Sequence, residues 1–185
     1  MVYLAIALVA VAALCAVDLM LTLAVLRRLR DRPASSPALT EEGGISVGAA
    51  VAPFSTQCAE GARLTERDLA DGAVVAFFTT GCQPCRDKLP DFVENAAPLQ
   101  GRRQVIAVVV SPSGGAHDET EALEMAEQLA VVARVVRESP QDPCTTAFGV
   151  RAFPSQFAVS APHGEPPTVA AVGDAVLAAL PVRSA

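Results

Sequence analysis

Val74-Val75-Ala76-Phe77-Phe78-Thr79-Thr80-Gly81-Cys82-Gln83-Pro84-Cys85-Arg86 decides how this chain is read. Its first five residues form a continuous apolar run, the pattern of a strand buried on both faces. The stretch from Arg86 to Ala97 is helix-like. The two cysteines therefore fall at a strand-to-helix junction. A Cys-x-x-Cys there holds two sulfurs close enough to form and break a disulfide. It also puts the first sulfur at a helix N-terminus, where the dipole favours thiolate. These are the ingredients of a dithiol redox site.

Working outward, the flanking segments alternate in type. Val47 to Pro53 leads into Phe54-Ser55-Thr56-Gln57-Cys58, and the turn Glu60-Gly61 with Arg63-Leu64 completes a β-hairpin signal. Thr65-Glu66-Arg67-Asp68 suits a short capped helical turn. Pro90 lies inside the helix after the cysteines and is expected to kink it. Gln104 to Val110 reads as a second buried strand. Asp118 and Glu121 read as a capping-box start. Ala122, Met125, Ala126, Leu129 and Ala130 follow at helical spacing. Val131 to Val136 is the third strand, and residues 143–149 a short helix ending at Gly149. Phe157-Ala158-Val159 and Val169-Ala170-Ala171-Val172 form a closing hairpin through Pro162-His163-Gly164. Asp174 caps a last helix, Ala175 to Leu180, which Pro181 stops. The expected fold class is α/β: a mixed central sheet flanked by helices on both faces.

The N-terminus is different in kind. From Val2 to Leu26 the only charged residue is Asp18, and Arg27-Arg28-Leu29-Arg30-Asp31-Arg32 follows. A run of roughly 20 apolar residues is long enough to span a bilayer as a helix. Met1-Val2-Tyr3 carries no basic side chain, and no small-x-small site precedes Arg27, so an uncleaved anchor is expected over a cleaved signal peptide. The expected organisation is an anchor with its basic flank over residues 1–30, a linker over 31–44 and one globular domain over 45–185. Asp18 in the span points to a partner helix or polar contact, or else to accommodation by local water defects or tilt, whereas Cys15 is read as a small apolar filler. The basic flank argues for a cytoplasmic domain by the positive-inside tendency. From residue 41 onward there are 18 acidic and 10 basic residues, a balance of about −8 that argues against nucleic-acid binding.

Taken together, Val47-Gly48 with Pro53-Phe54, the Glu60-Gly61 hairpin, the strand Val74–Phe78, Cys82-Gln83-Pro84-Cys85, Pro90 and Gly149-Val150-Arg151-Ala152-Phe153-Pro154-Ser155 resemble membrane-anchored thioredoxin-fold proteins of the TlpA/MauD type. The resemblance covers residues 47–180. It implies a thioredoxin-like fold and a thiol–disulfide oxidoreductase. It also implies a cis peptide at Pro154 and protein thiols or disulfides as substrates. A membrane protein is the implied electron donor, and the redox domain is implied to face outward, against the charge bias. No cofactor is implied beyond the Cys82–Cys85 disulfide.

The resemblance assigns roles residue by residue. Cys82 is the attacking thiolate and Cys85 the buried resolving thiol. Pro84 stiffens the turn, and Phe153 with Pro154 presents backbone to a substrate segment. The chain also departs from the pattern. Thr80 stands where many relatives have Trp. Lys88 stands where reductive relatives have Glu; either a cation there makes the couple more oxidising, or it points to solvent one turn along the helix. No carboxylate precedes the cysteines in the strand. A zinc site would need a second ligand pair, and Cys58, Cys144, His117 and His163 lack pair spacing, so no metal is expected. Cys58 and Cys144 are read as buried free thiols, with a second disulfide as the alternative; the two histidines are read as solvated loop residues. Two competing functions sit on the same fold: a redoxin-type thiol peroxidase, whose Pro-x-x-x-Thr-x-x-Cys loop is unmatched by Thr79-Thr80-Gly81-Cys82, and a copper-delivery or assembly module.

Overall fold

The computed structural model describes residues 43–173 together with Tyr3, Ile6, Met20, Val176 and Leu177. The chain divides into two units, Met1–Ser36 and Pro37–Ala185. Every strand among the described residues belongs to the second. The expected anchor, with Cys15, Asp18 and the Arg27–Arg32 flank, lies outside the described residues apart from Tyr3, Ile6 and Met20, which are helical. Among the described residues no helix is long and apolar enough to cross a membrane. Asp174 also lies outside them; Val176 and Leu177 are helical, as expected for the last helix.

A five-stranded sheet organises the domain. Strand β1 (Ser55–Gln57) pairs antiparallel with β2 (Arg63–Thr65) as a separate hairpin. Then come β3 (Ala73–Thr79), α1 (Gln83–Ala96), β4 (Val105–Val110), α2 (Ala116–Ala130), β5 (Arg134–Glu138), α3 (Pro143–Ala147), β6 (Ser155–Ser160) and β7 (Thr168–Val172). The sheet order is β5-β4-β3-β6-β7. Strand β3 lies at its centre, parallel to β4 and antiparallel to β6. All seven residues of β3 and all six of β4 are buried, which explains their unbroken apolar runs.

Alternation along β3 splits the core in two. Val75 and Phe77 face one side with Ile106, Val108, Phe148, Phe157, Cys58 and Cys144. Val74, Ala76 and Phe78 face the other with Cys85, Leu89, Phe92, Met125 and Leu129. The first layer is pinned by Phe77, whose ring lies 5.4 Å from that of Phe148 and 5.8 Å from that of Phe157. In the second, Phe78 meets Phe92 edge-on at 5.3 Å. Each such pair adds about 0.5–1.5 kcal/mol beyond its burial.

Helix α1 buries Cys85, Leu89, Phe92 and Ala96 and runs on through the exposed Pro90. Thr65 caps the 3-10 turn Glu66–Asp68 in a reciprocal box with Asp68. The capping box expected at Asp118 and Glu121 does not form. Helix α2 begins two residues earlier than Asp118, behind Gly115, without a side-chain cap. Asp118 instead turns back to Ser113, accepting from its backbone N–H at 3.1 Å and from its hydroxyl. His117 is therefore on the first turn of α2 and not in a loop, although it is exposed as expected. Ala122, Met125, Ala126 and Leu129 are buried, but Ala130 is exposed. The third strand starts at Arg134, not Val131. The amides of Val132 and Ala133 both donate to the Leu129 carbonyl, closing the helix and delaying the strand.

One segment crosses beneath the sheet. Gly48 donates to the Val169 carbonyl at 2.8 Å, and Ala50 bridges Thr168 on β7. Nine residues later Ala59 donates to the Val135 carbonyl at 2.7 Å, and Cys58 bridges Val136 on β5. Between these points Val51 and Phe54 are buried in the first core layer.

Candidate active site

The end of β3 hands the chain to α1 through Thr80 and Gly81. Thr80 is buried and its N–H still donates to the Val110 carbonyl of β4 at 3.1 Å. Gly81 has φ +70°, a left-handed conformation that suits glycine. This bend puts Cys82 at the N-cap of α1 in extended conformation. Pro84 occupies the first turn, where its missing N–H removes only one of the helix's unpaired donors. The Cys85 N–H points at the Cys82 sulfur from 3.2 Å. Cys82 and Cys85 form a disulfide with 5.3 Å between their Cα atoms. Cys82 is half-buried and Cys85 completely so. One sulfur is thus open to a partner while the other is reached only through it.

The loop before β6 closes the site. The Phe153–Pro154 peptide is cis, and the Phe153 carbonyl lies 3.9 Å from the Cys82 sulfur, in position to accept from the thiol when the pair is reduced. Ser155, paired with Phe77 on β3, anchors the loop by donating from its hydroxyl to the Ala152 carbonyl at 2.6 Å. The structure therefore brings Cys82, Cys85, Pro84, Phe153 and Pro154 to one place. Lys88 lies on α1 three residues beyond Cys85 and is half-buried.

Nothing in the sequence ties several further residues to this neighbourhood. Glu121 of α2 accepts the Gly81 N–H through Oε2 at 2.9 Å and binds Arg86 through Oε1 at 2.5 Å. The Gly81 N–H, followed by the Arg86 guanidinium, holds its carboxyl below the usual range against the opposing cost of burial. Arg86 also donates to Gln83 Oε1 at 3.1 Å, and Gln83 Nε2 donates to Asp87 Oδ1 at 2.7 Å. Gln156 of β6 stands opposite Ala76 on β3. Its register puts it on the layer that contains Cys85. It is buried, and its Oε1 has no hydrogen-bond partner among the described residues.

Cys58 and Cys144 lie in the other core layer, and both are free, buried thiols. Burial pushes the Cys144 thiol well up, with the Glu138 carboxylate adding to it. Burial also raises Cys58, although Arg134, 3.4 Å away, opposes the shift. His163 is exposed in the β6–β7 loop, as expected.

No family model matches the chain, and no curated protein sequence matches it significantly. Solved structures do. The thioredoxin domain of a thiol-disulfide oxidoreductase from Bacteroides vulgatus superposes with a TM-score of 0.53 at 18% identity, over 73% of this chain and 95% of that one. The fold is thioredoxin-like. A thiol:disulfide interchange protein from Bacteroides sp. gives 0.53 at 18% identity, covering 72% of this chain and 87% of its own. A thiol-disulfide oxidoreductase from Bacteroides fragilis gives 0.51 at 14% identity, covering 71% and 96%. At such identities the likeness is one of thioredoxin-like architecture.

Proposed function

We propose that this chain is a thiol–disulfide oxidoreductase of the membrane-anchored TlpA/MauD type, acting on protein thiols and disulfides. One observation carries the chemistry: a disulfide-bonded Cys82–Cys85 pair at the N-terminus of α1, with only Cys82 open and the Phe153 carbonyl beside it. With the pair reduced, the Cys82 thiolate attacks a partner disulfide and expels one partner thiolate. The Cys85 thiolate then attacks the Cys82 sulfur of the mixed disulfide and releases the second. The partner gains two electrons and Cys82–Cys85 is oxidised; the reverse sequence oxidises a partner dithiol. The dipole of α1 and the Cys85 N–H favour Cys82 as thiolate, as the attacking group in this direction and as the leaving group in the reverse one. The backbone of Phe153 would pair with an extended partner segment, with Pro154 beside the dithiol. The pair itself carries the electrons, so no other cofactor enters the proposal.

The proposal includes the tether. The apolar run over residues 2–26 would hold the domain at a membrane. Its outward placement rests on the resemblance, because an oxidising compartment is where disulfides need management, and a membrane protein would then be the electron source. The chemistry is tested with the full chain in detergent, by reduction of insulin beside Cys82→Ser and Cys85→Ser. Activity confined to the wild type, with a partner trapped on Cys82 in the Cys85→Ser protein, is expected; equal behaviour of all three overturns the reading. A topology reporter fused after residue 185 tests placement, and a cytoplasmic signal would refute the outward face.

A further inference from the structure

The first turn of α1 is held from outside its own segment. Glu121, 40 residues from Gly81, takes the Gly81 N–H with one carboxylate oxygen and the Arg86 guanidinium with the other. Gly81 immediately precedes Cys82, and the Arg86 backbone N–H donates to the Cys82 carbonyl at 3.2 Å. The carboxylate thus grips the chain on both sides of the attacking cysteine. Its side chain is only 11% exposed, while that of Arg86 is 45% exposed. Two opposite charges are therefore fixed on the Gly81–Arg86 segment that carries Cys82, whose sulfur must become an anion when the disulfide opens. A cation there lowers the free energy of the thiolate, and an anion raises it.

We propose that Glu121 is a positioning residue of the dithiol site: through Gly81 and Arg86 it fixes the approach of Cys82 and sets how readily the Cys82–Cys85 pair is oxidised. This role rests on the oxidoreductase reading. The neighbouring charges are Asp87 and Lys88, one and two residues beyond Arg86 on α1, and His117 and Asp118, one turn before Glu121 on α2; all stay unchanged in the test variants. Glu121→Gln keeps an oxygen to accept from Gly81 but removes the charge, leaving Arg86 to stabilise the thiolate. Arg86→Gln leaves Glu121 unbalanced. A purely structural clamp would move both variants the same way or not at all. A tuning pair moves them in opposite directions.

The experiment equilibrates the full chain, in detergent, with reduced and oxidised glutathione and reads the dithiol fraction after acid quenching and alkylation. Glu121→Gln is expected to shift the equilibrium three- to tenfold toward the dithiol, a rise of up to about 30 mV. Arg86→Gln is expected to shift it the other way by a similar factor, and the double variant to lie within twofold of wild type. Shifts of the same sign, or both single variants within twofold of wild type, overturn the proposal while leaving the dithiol reading intact. A wild-type protein that does not equilibrate with glutathione brings down the dithiol reading, and this proposal with it.

Discussion

Among the described residues the four cysteines fall into two pairs, and their surroundings differ in almost every respect. Cys82 and Cys85 sit where a strand ends and a helix begins, bonded to each other, with one sulfur open and accepting the Cys85 N–H. Cys58 and Cys144 sit in the opposite core layer as free thiols. Burial there raises the thiols, so they stay protonated at neutral pH and make poor nucleophiles. Reactivity is assigned by position in the fold, because the side chains are chemically the same.

The largest expected effect breaks the comparison outright. Cys82→Ser should lower disulfide exchange by a factor of about 10³ or more, since no other thiol among the described residues is open to attack. Cys144→Ala should leave the exchange rate within about twofold of wild type while costing roughly 1 kcal/mol of stability in a denaturant titration. A large loss of exchange in that variant would mean that the second pair takes part. The alkaline limb sharpens the contrast. Because folding raises the Cys144 thiol above its ordinary value near 9.0, the folded state holds the proton more tightly than the unfolded chain. This contribution is whole below the unfolded value and is lost as the pH climbs toward the folded one, with a slope of up to about 1.4 kcal/mol per pH unit. Melting curves between about pH 7 and 10 should show a steeper fall for wild type than for Cys144→Ala. The smallest effect concerns polar neighbours. Glu138, near Cys144, accepts from the N–H groups of Cys144 and Thr145 and from the Thr145 hydroxyl. Gln156, on the Cys85 layer, leaves its Oε1 unpartnered among the described residues. Gln156→Met should therefore stabilise by about 1 kcal/mol in the same titration, whereas Glu138→Gln should destabilise.

The strands and helices that build the sheet were legible because the signals are local: unbroken apolar runs for β3 and β4, period-3.6 burial for α1 and α2, and a Gly turn for the first hairpin. The Cys82–Cys85 pair was legible for the same reason, since Cys-x-x-Cys between a strand and a helix is a local motif. What was missed depends on distant partners. Asp118 and Glu121 have the spacing of a capping box, but their carboxylates are claimed by Ser113, Gly81 and Arg86, and the helix starts without them. No spacing rule links residue 121 to residue 81. Gln156 was passed over because its place opposite Ala76 depends on strand register. Val131 to Ala133 are apolar enough for a strand, yet the amides of Val132 and Ala133 are taken by the preceding helix.

The segment that passes beneath the sheet has a consequence for association. A five-stranded sheet has two open edges, each a row of groups ready to recruit a foreign strand. Here Gly48 to Val51 occupies part of β7 and Cys58 with Ala59 occupies part of β5, so a stretch of about a dozen residues blunts both margins. The sheet is thereby guarded against growth by edge-to-edge stacking. With the margins covered, the proposed strand-like contact with a partner would fall at the turn at Phe153, whose carbonyl lies beside Cys82.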